Sequence, residues 1–249
     1  QDRKAGGNVA IQEAMQNFVP PGIQPGPKGP RVFLDYDKQE IDWAYDQAFW
    51  APNQAEVARR NAQKSEAALA RLGAPQREFY GPKPIERLDI YRTRAPRAPI
   101  NVFIHGGAWR VGDARQAAYM AETYVDAGAI FVSVDFDNVG DVDGDVGVMV
   151  DQVRRSVAWV RRNAESFGGD PEKIFISGTS SGAHLTGVTL TTDWPALFGL
   201  PMDTIKGGLC CSGMYDLYPV SLSARAGYVR FSERMIEELL SLIHISEPT

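Results

Sequence analysis

A serine between two glycines is the residue in this sequence best placed to do chemistry. Residues 178–182 read Gly-Thr-Ser-Ser-Gly and fit the pattern G-x-S-x-G, with Ser180 at the centre. The motif follows the apolar run 173–177 and precedes the helix-compatible run 182–186, which is the strand-turn-helix setting of a nucleophile elbow. The helix N-terminus behind the serine offers unpaired N–H groups and a positive dipole end. We therefore predict that Ser180 projects above a sheet as a nucleophile.

A second glycine motif could stabilise the negative charge that acyl transfer builds on a carbonyl oxygen. Residues 105–109 read His-Gly-Gly-Ala-Trp and directly follow the apolar run 100–104. A backbone N–H group that is already in place for the forming oxyanion stabilises it by about 3 kcal/mol. We predict that Gly106 and Gly107 donate such groups together with Ser181.

The two ends of this second motif are predicted to border the substrate pocket. His105 is expected to hold the loop by hydrogen bonds. Trp109 has two interpretations, because it could line the acyl pocket or simply cover the sheet.

From about residue 75, short apolar runs alternate with helix-like segments. Strands are predicted at 77–80, 85–93, 100–104, 129–134, 173–177 and 205–211, and helices at 114–127, 145–167 and 181–190. Such alternation indicates a parallel sheet covered on both faces. Two further helices are predicted between residues 37 and 72, where apolar residues recur at helical spacing.

These motifs resemble those of the α/β-hydrolase superfamily, in its carboxylesterase and arylformamidase-like (kynurenine-formamidase-like) group. That group carries H-G-G-x-W, then G-x-S-x-G followed by A-H-L, then Y-D-L, which stand here at 105–109, 178–185 and 215–217. The resemblance implies an α/β-hydrolase fold, with a mostly parallel central sheet, helices on both faces and a helical N-terminal lead-in that caps the site. It also implies hydrolysis of small carboxylic esters or aryl amides without a metal or organic cofactor.

The partners that a serine nucleophile needs are less evident. In this fold the chain order is Ser, then Asp or Glu, then His, and the histidine accepts the serine proton. The sequence has 3 histidines, of which one begins the glycine motif 105–109. His184 and His244 are candidates for the base, and Asp216 is a candidate for the acid. Each also has a simpler interpretation: packing for His184, a loop or cap contact for Asp216, and a non-native tail for His244.

Both ends of the sequence are predicted to lie outside the folded domain. Residues 1–30 alternate proline with glycine and are expected to form an irregular arm. Residues 241–249 resemble a translated sequencing adapter, a scar found in metagenomic gene predictions, and are interpreted as a non-native tail. The hydrolase domain would then span 31–240 and be truncated, without the C-terminal strands that carry the acid and the histidine in the family.

Composition excludes several other classes of protein. The 249 residues are 44% hydrophobic and 23% charged, as in an ordinary soluble globular protein, and their net charge is -5. A mildly acidic chain has no electrostatic reason to bind nucleic acid or an anionic membrane. No apolar run approaches the roughly 18 residues of a spanning helix, and no secretory signal is visible. The acidic run 135–145 fails the EF-hand spacing and is interpreted as a solvated loop, so no metal site is predicted. Cys210 and Cys211 are expected to be buried thiols.

Two functions remain open from the sequence. The first is a serine hydrolase that forms an acyl-enzyme on Ser180 and cleaves small or aromatic esters, including plant-type esters or man-made polyesters, or a formyl-aryl amide. Loss of the acid and the histidine would impair it. The second is a non-catalytic hydrolase-fold protein that binds a ligand or a partner. Because strand 205–211 would be an open apolar edge, we also predict a homodimer with the C-terminal segment in its interface.

Overall fold

The computed structural model describes residues 27–239 of the chain. Its strands are β1 (Arg31–Phe33), β2 (Tyr36–Asp37), β3 (Gln76–Phe79), β4 (Arg87–Tyr91), β5 (Ala98–Ile104), β6 (Ile130–Val134), β7 (Gly169–Thr179) and β8 (Gly207–Cys211). Its α-helices are α1 (Lys38–Ala44), α2 (Gln47–Trp50), α3 (Gln54–Leu72), α4 (Ala118–Asp126), α5 (Val146–Asn163), α6 (Ser181–Leu190), α7 (Trp194–Phe198), α8 (Leu217–Ser221) and α9 (Glu233–Glu238). The predicted alternation of strand and helix is confirmed, with bounds that differ by a few residues.

The central sheet has the strand order β3-β4-β6-β5-β7-β8. Strands β5 to β8 run parallel to one another, whereas β3 and β4 pair antiparallel at one edge. Strands β5 and β6 are buried along almost their whole length, so they consist mainly of valine, isoleucine and phenylalanine. Because parallel strands end at the same edge of a sheet, the segments that follow β5 and β7 meet there. Those segments are the two glycine motifs.

One polar pair inside the sheet fixes how β5 and β7 are aligned. The Asn101 side-chain amide donates a 2.8 Å hydrogen bond to the hydroxyl of Ser177, and both residues are buried. In this register Ile104 pairs with Gly178. The register therefore sets the last residue of β5 beside the first residue of the serine motif.

Helices cover the sheet from two sides and form two core clusters. On one face, α5 and α6 pack against the larger cluster, with apolar α5 residues at Val150, Val153 and Val157. On the other face, α3 and α4 cover a smaller aromatic cluster that contains Phe103 and Phe131. None of the helices within 27–239 combines the length and apolarity needed to cross a bilayer.

The N-terminal lead-in is fixed by local caps and by one buried serine. Asp37 caps α1 and forms a capping box with Glu40. In α3, the Ser65 hydroxyl donates to the carbonyl of Gln116 at 3.0 Å and accepts the backbone N–H of Tyr119 at 3.2 Å. These two bonds hold α3 across the beginning of α4, above the carboxyl end of the sheet.

The β8 side of the sheet is covered on one face only. Helix α6 packs on β8 from one side. On the opposite face Leu209 is 60% exposed and its neighbour Phe175 on β7 is 41% exposed. Met235 and Leu239 of the C-terminal segment are instead buried in the larger core cluster. Within residues 27–239, β8 is one of the two edge strands of the central sheet, and no further strand pairs with it.

Candidate active site

Ser180 occupies a strained turn between β7 and α6. Its φ is 54° and its ψ is -124°, a combination that costs a non-glycine residue about 1–3 kcal/mol. The turn is held by its backbone: Ser180 N–H donates to the carbonyl of Cys211 at 2.8 Å, and its carbonyl accepts from Ala183 at 2.9 Å. The predicted strand-turn-helix geometry of the serine motif is present.

The two glycines of the motif are required by close contacts. A Cβ at Gly178 would lie 2.4 Å from the Thr186 hydroxyl and 2.5 Å from the carbonyl oxygen of Gly182. A Cβ at Gly182 would lie 2.3 Å from the carbonyl oxygens of both Ile104 and His105. Glycine therefore lets the first turn of α6 press against the end of β5, which brings Ser180 beside the second motif.

The second motif stands next to Ser180, as the sequence predicted. A Cβ on Gly106 would lie 3.1 Å from the Cβ of Ser180. Within the described residues, the backbone N–H groups of Gly106, Gly107 and Ser181 donate no hydrogen bond, so they are free to bind an oxygen beside Ser180. Both glycines and Ser180 border the same cleft.

His105 supports this loop and borders the cleft. One of its ring nitrogens, Nδ1, donates to the carbonyl of Gly106 at 2.8 Å, and its ring stacks on Phe136 with centroids 4.3 Å apart. Burial lowers the pKa of His105, so its imidazole is neutral at pH 7. Close behind, Asp135 accepts the backbone N–H of Ala114 and the guanidinium of Arg87, each at 2.6 Å. Just after β6, Phe136 thus contacts the first residue of the loop, and Asp135 contacts Ala114, which follows the loop.

The cleft over Ser180 has a volume of about 370 Å³. One wall is formed by the glycine motif and the other by α3, which presents Ala58, Asn61 and Ala62. The lead-in therefore borders the site, as the resemblance implied. The sequence predicts a helix for the small residues of α3 but does not link them to the cleft. The signal in the sequence is the pair Ala58 and Ala62 at i and i+4 with the polar Asn61 between them, a pattern that fits a helix lining a narrow cleft.

Trp109 and His184 belong to the core rather than to the cleft. Both side chains are buried, and their rings meet edge to face with centroids 5.5 Å apart. Of the two interpretations of Trp109, the structure shows the covered core position. The His184 Nε2 donates to the carbonyl of Leu239 at 3.2 Å, and burial lowers the pKa of His184 to about 4. His184 therefore packs as a neutral ring, and that ring makes no hydrogen bond to Ser180.

The remaining candidates for an acid and a base do not reach Ser180 in the described structure. Asp216 caps α8 by accepting the N–H of Tyr218 at 2.9 Å. His244 lies outside the described residues, as do residues 1–26 of the predicted arm and the predicted tail 241–249. Across positions 27–239, no side chain hydrogen-bonds to the Ser180 hydroxyl. Within residues 27–239, the serine turn and the glycine loop thus lie side by side, and no candidate base contacts the Ser180 hydroxyl.

Two expectations about other side chains were wrong in part. The acidic run is solvated only in part, since Asp141 and Asp143 are exposed as predicted. Asp135 and Asp137 are buried, because Asp135 binds Arg87 and the backbone N–H of Ala114, and Asp137 binds Gln152 and Lys83. Both cysteines were expected to be buried, but Cys211 is exposed and Cys210 is half-buried, since they lie on the edge strand β8.

The described residues contain no cluster of potential ligands that could hold a metal ion.

Comparisons with known proteins identify hydrolases as relatives of this chain. The BD-FAE family model matches residues 88–197. Kynurenine formamidase of Danio rerio is 31% identical over 210 residues, which cover 81% of this chain and 68% of that protein. Esterase LipQ of Mycobacterium tuberculosis is 34% identical over 188 residues, which cover 68% of this chain and only 44% of the relative. A thioesterase-like crystal structure from Silicibacter sp. superposes with a TM-score of 0.70 at 20% identity, covering 81% of this chain and 74% of that chain, and shows the shared fold.

Proposed function

Because this chain belongs to the α/β-hydrolase superfamily, in its carboxylesterase and arylformamidase-like group, we propose that it is a serine hydrolase of carboxylic esters. Ser180 would attack the ester carbonyl and form an acyl-enzyme, which water then releases. The observation that carries the proposal is the strained conformation of Ser180 beside the free N–H groups of Gly106, Gly107 and Ser181. Those three groups would bind the oxyanion.

The cleft supports small or aromatic esters as the substrate class. Its volume of about 370 Å³ fits a small ester or a single aromatic ring, and the alanines of α3 leave the wall smooth. A polyester chain would need to enter lengthwise across the open side of the cleft. No metal or organic cofactor takes part in this mechanism.

An amide substrate is the second candidate within the same chemistry. It is favoured by the 31% identity to the kynurenine formamidase of Danio rerio over 81% of this chain. A formyl group is the smallest acyl group, so it would fit beside the glycines and leave the aryl part against α3. The same acyl-enzyme on Ser180 would then carry a formyl group.

The residues described here provide no base for Ser180, so we propose that turnover is slow. Loss of one member of a catalytic triad typically costs on the order of 10⁴ to 10⁶ in rate. The oxyanion donors and the positioned serine would still favour acylation by very reactive substrates. The second candidate function is that of a non-catalytic protein that binds a ligand in the same cleft, which is favoured by the absence of a base beside Ser180 within residues 27–239.

Covalent labelling tests the nucleophile without requiring turnover. The full chain is incubated with a fluorophosphonate, and its intact mass and peptide masses are measured. Because no base assists Ser180 within residues 27–239, we expect one adduct that accumulates slowly at high probe concentration, on Ser180, and none in Ser180→Ala. Hydrolysis of p-nitrophenyl acetate and of a formyl-anilide is then compared in the same two proteins. A binding protein would remain unlabelled, and its ligand affinity would be the same with Ser180→Ala.

A further inference from the structure

The turn that follows the oxyanion loop adopts an unusual backbone conformation. Gly107, Ala108 and Trp109 have φ values of 116°, 56° and 61°, so three successive residues lie in the left-handed region. That region disfavours residues with a Cβ, and two of the three carry one. A turn of this kind persists only when the surrounding structure holds it in place.

Two hydrogen bonds anchor the turn from outside. The Trp109 carbonyl accepts the backbone N–H of Val139 at 2.7 Å. The Trp109 N–H donates to the side-chain hydroxyl of Ser181 at 3.1 Å, and this bond is buried. The second bond crosses from the oxyanion loop to the residue that follows the nucleophile. It is the direct polar link between the two motifs of the site.

Ser181 is placed so that its two polar groups serve opposite sides of the site. Its side chain is 2% exposed and faces Trp109, whereas its backbone N–H is free beside Ser180. Ser181 directly follows Ser180 in the chain, and the first turn of α6 fixes the position of its side chain. Any shift of the loop relative to the nucleophile would therefore stretch the bond to Trp109.

We propose that the Ser181 hydroxyl is a positioning residue that ties the oxyanion loop to the nucleophile turn. By holding Trp109, it keeps the N–H groups of Gly106 and Gly107 at a constant distance from Ser180. This role rests on the proposed serine mechanism, because the distance matters only if an oxyanion forms there. The simple alternative is that burial of the Trp109 ring alone fixes the turn.

The variant Ser181→Ala removes the acceptor and leaves the rest of the fold intact. Ser156→Ala is the matched control, because Ser156 is also a buried helical serine but its hydroxyl bonds only to Val153 within α5. Ser181→Cys is a second variant that keeps the shape of the side chain and offers a weaker acceptor. Melting curves establish that each protein is folded.

Two measurements are made on each protein. Hydrogen exchange reports on the Trp109 amide, and fluorophosphonate labelling is resolved into a maximal rate constant and a half-saturating concentration. In Ser181→Ala we expect exchange at Trp109 to be about tenfold faster, and the maximal labelling rate about tenfold lower, which corresponds to roughly 1.4 kcal/mol. The half-saturating concentration should stay the same. Ser181→Cys should lie between the two, and Ser156→Ala should match the wild type.

The outcomes separate this role from the proposed function. Unchanged exchange at Trp109 in Ser181→Ala would overturn the tether, whatever the labelling shows. Faster exchange with an unchanged labelling rate would overturn the positioning role and leave the bond as a purely structural one. A wild-type protein that is never labelled would overturn the serine mechanism itself, and the exchange result would still report whether the bond exists.

Discussion

The two sides of Ser180 are built in different ways. On the β5 side, the nucleophile turn and the oxyanion loop are fixed by backbone contacts so tight that only glycine fits at 178 and 182. On the β8 side, Ser180 donates a hydrogen bond to the carbonyl of Cys211, and within residues 27–239 no further strand pairs with β8. The position of the glycine loop beside Ser180 therefore depends on contacts between neighbouring strands, whereas the β8 side offers Ser180 one backbone hydrogen bond.

The largest expected effect comes from adding a side-chain carbon at Gly182, where α6 contacts the end of β5. In Gly182→Ala the new Cβ would lie 2.3 Å from two backbone oxygens that cannot move independently. We expect a loss of about 3 kcal/mol or more in the free energy of unfolding, and a melting temperature lower by roughly 6–12 °C. Gly140→Ala is the control, since a Cβ there meets nothing within 4 Å. Equal melting temperatures for the two variants would show that the contact at Gly182 is not tight.

Acid should lower the free energy of unfolding through His184 of α6. Burial lowers its pKa from 6.5 to about 4. Above pH 6.5 the ring is neutral in both the folded and unfolded states. As the pH falls from 6.5 to 4, the unfolded chain binds the proton first, so stability is lost, by up to about 3 kcal/mol from this residue.

The variant His184→Gln isolates this contribution, because glutamine keeps a donor for Leu239 but does not titrate. The free energy of unfolding is measured by urea denaturation at pH 7 and at pH 4.5. We expect the wild type to lose more stability than the variant between the two pH values. Parallel losses would show that His184 is protonated with an ordinary pKa in the folded protein.

The open side should govern association. The predicted homodimer placed the C-terminal segment in its interface, but Met235 and Leu239 of that segment are buried in this chain's own core. We therefore propose that the dimer covers the exposed face of β8, where Leu209 is 60% exposed. We expect Leu209→Glu to shift the wild-type dimer to monomer in light scattering at micromolar concentration, because a carboxylate would have to be buried. Leu197→Glu on α7 is a matched control, since Leu197 is 58% exposed. A wild-type monomer, or dissociation by Leu197→Glu instead, would contradict this assignment.

The smallest effect is expected at Asp216. As a helix cap it stabilises α8, so Asp216→Ala should cost about 1 kcal/mol and leave fluorophosphonate labelling of Ser180 unchanged. Unfolding and labelling are measured on the same preparation. A tenfold loss of labelling at unchanged stability would instead identify Asp216 as part of the reactive site.

The sequence predicted the parts of the molecule that depend on local pattern. Apolar runs located β5 and β7, and glycine spacing located the nucleophile turn, because both features are encoded within a few residues. The wall formed by α3 was not predicted, since Ala58 and Ala62 look the same in a helix that faces the core and in one that faces a cleft. The burial of Asp135 was missed for a related reason. Its partners Arg87 and Ala114 are far away in the chain, so the charge appeared solvated until the fold brought them together.

The hydrogen bond between Asn101 and Ser177 has a consequence for how the molecule reaches its folded state. A slip of β7 by one residue would turn Ser177 to the opposite face and leave two buried polar groups without partners, at about 1–3 kcal/mol each. The hydrogen bond therefore stabilises the native alignment of β5 and β7 relative to a slipped alignment. In the native alignment Gly178 lies opposite Ile104. Two side chains that do not border the cleft, Asn101 and Ser177, thus contribute both to the alignment of the sheet and to the position of Ser180.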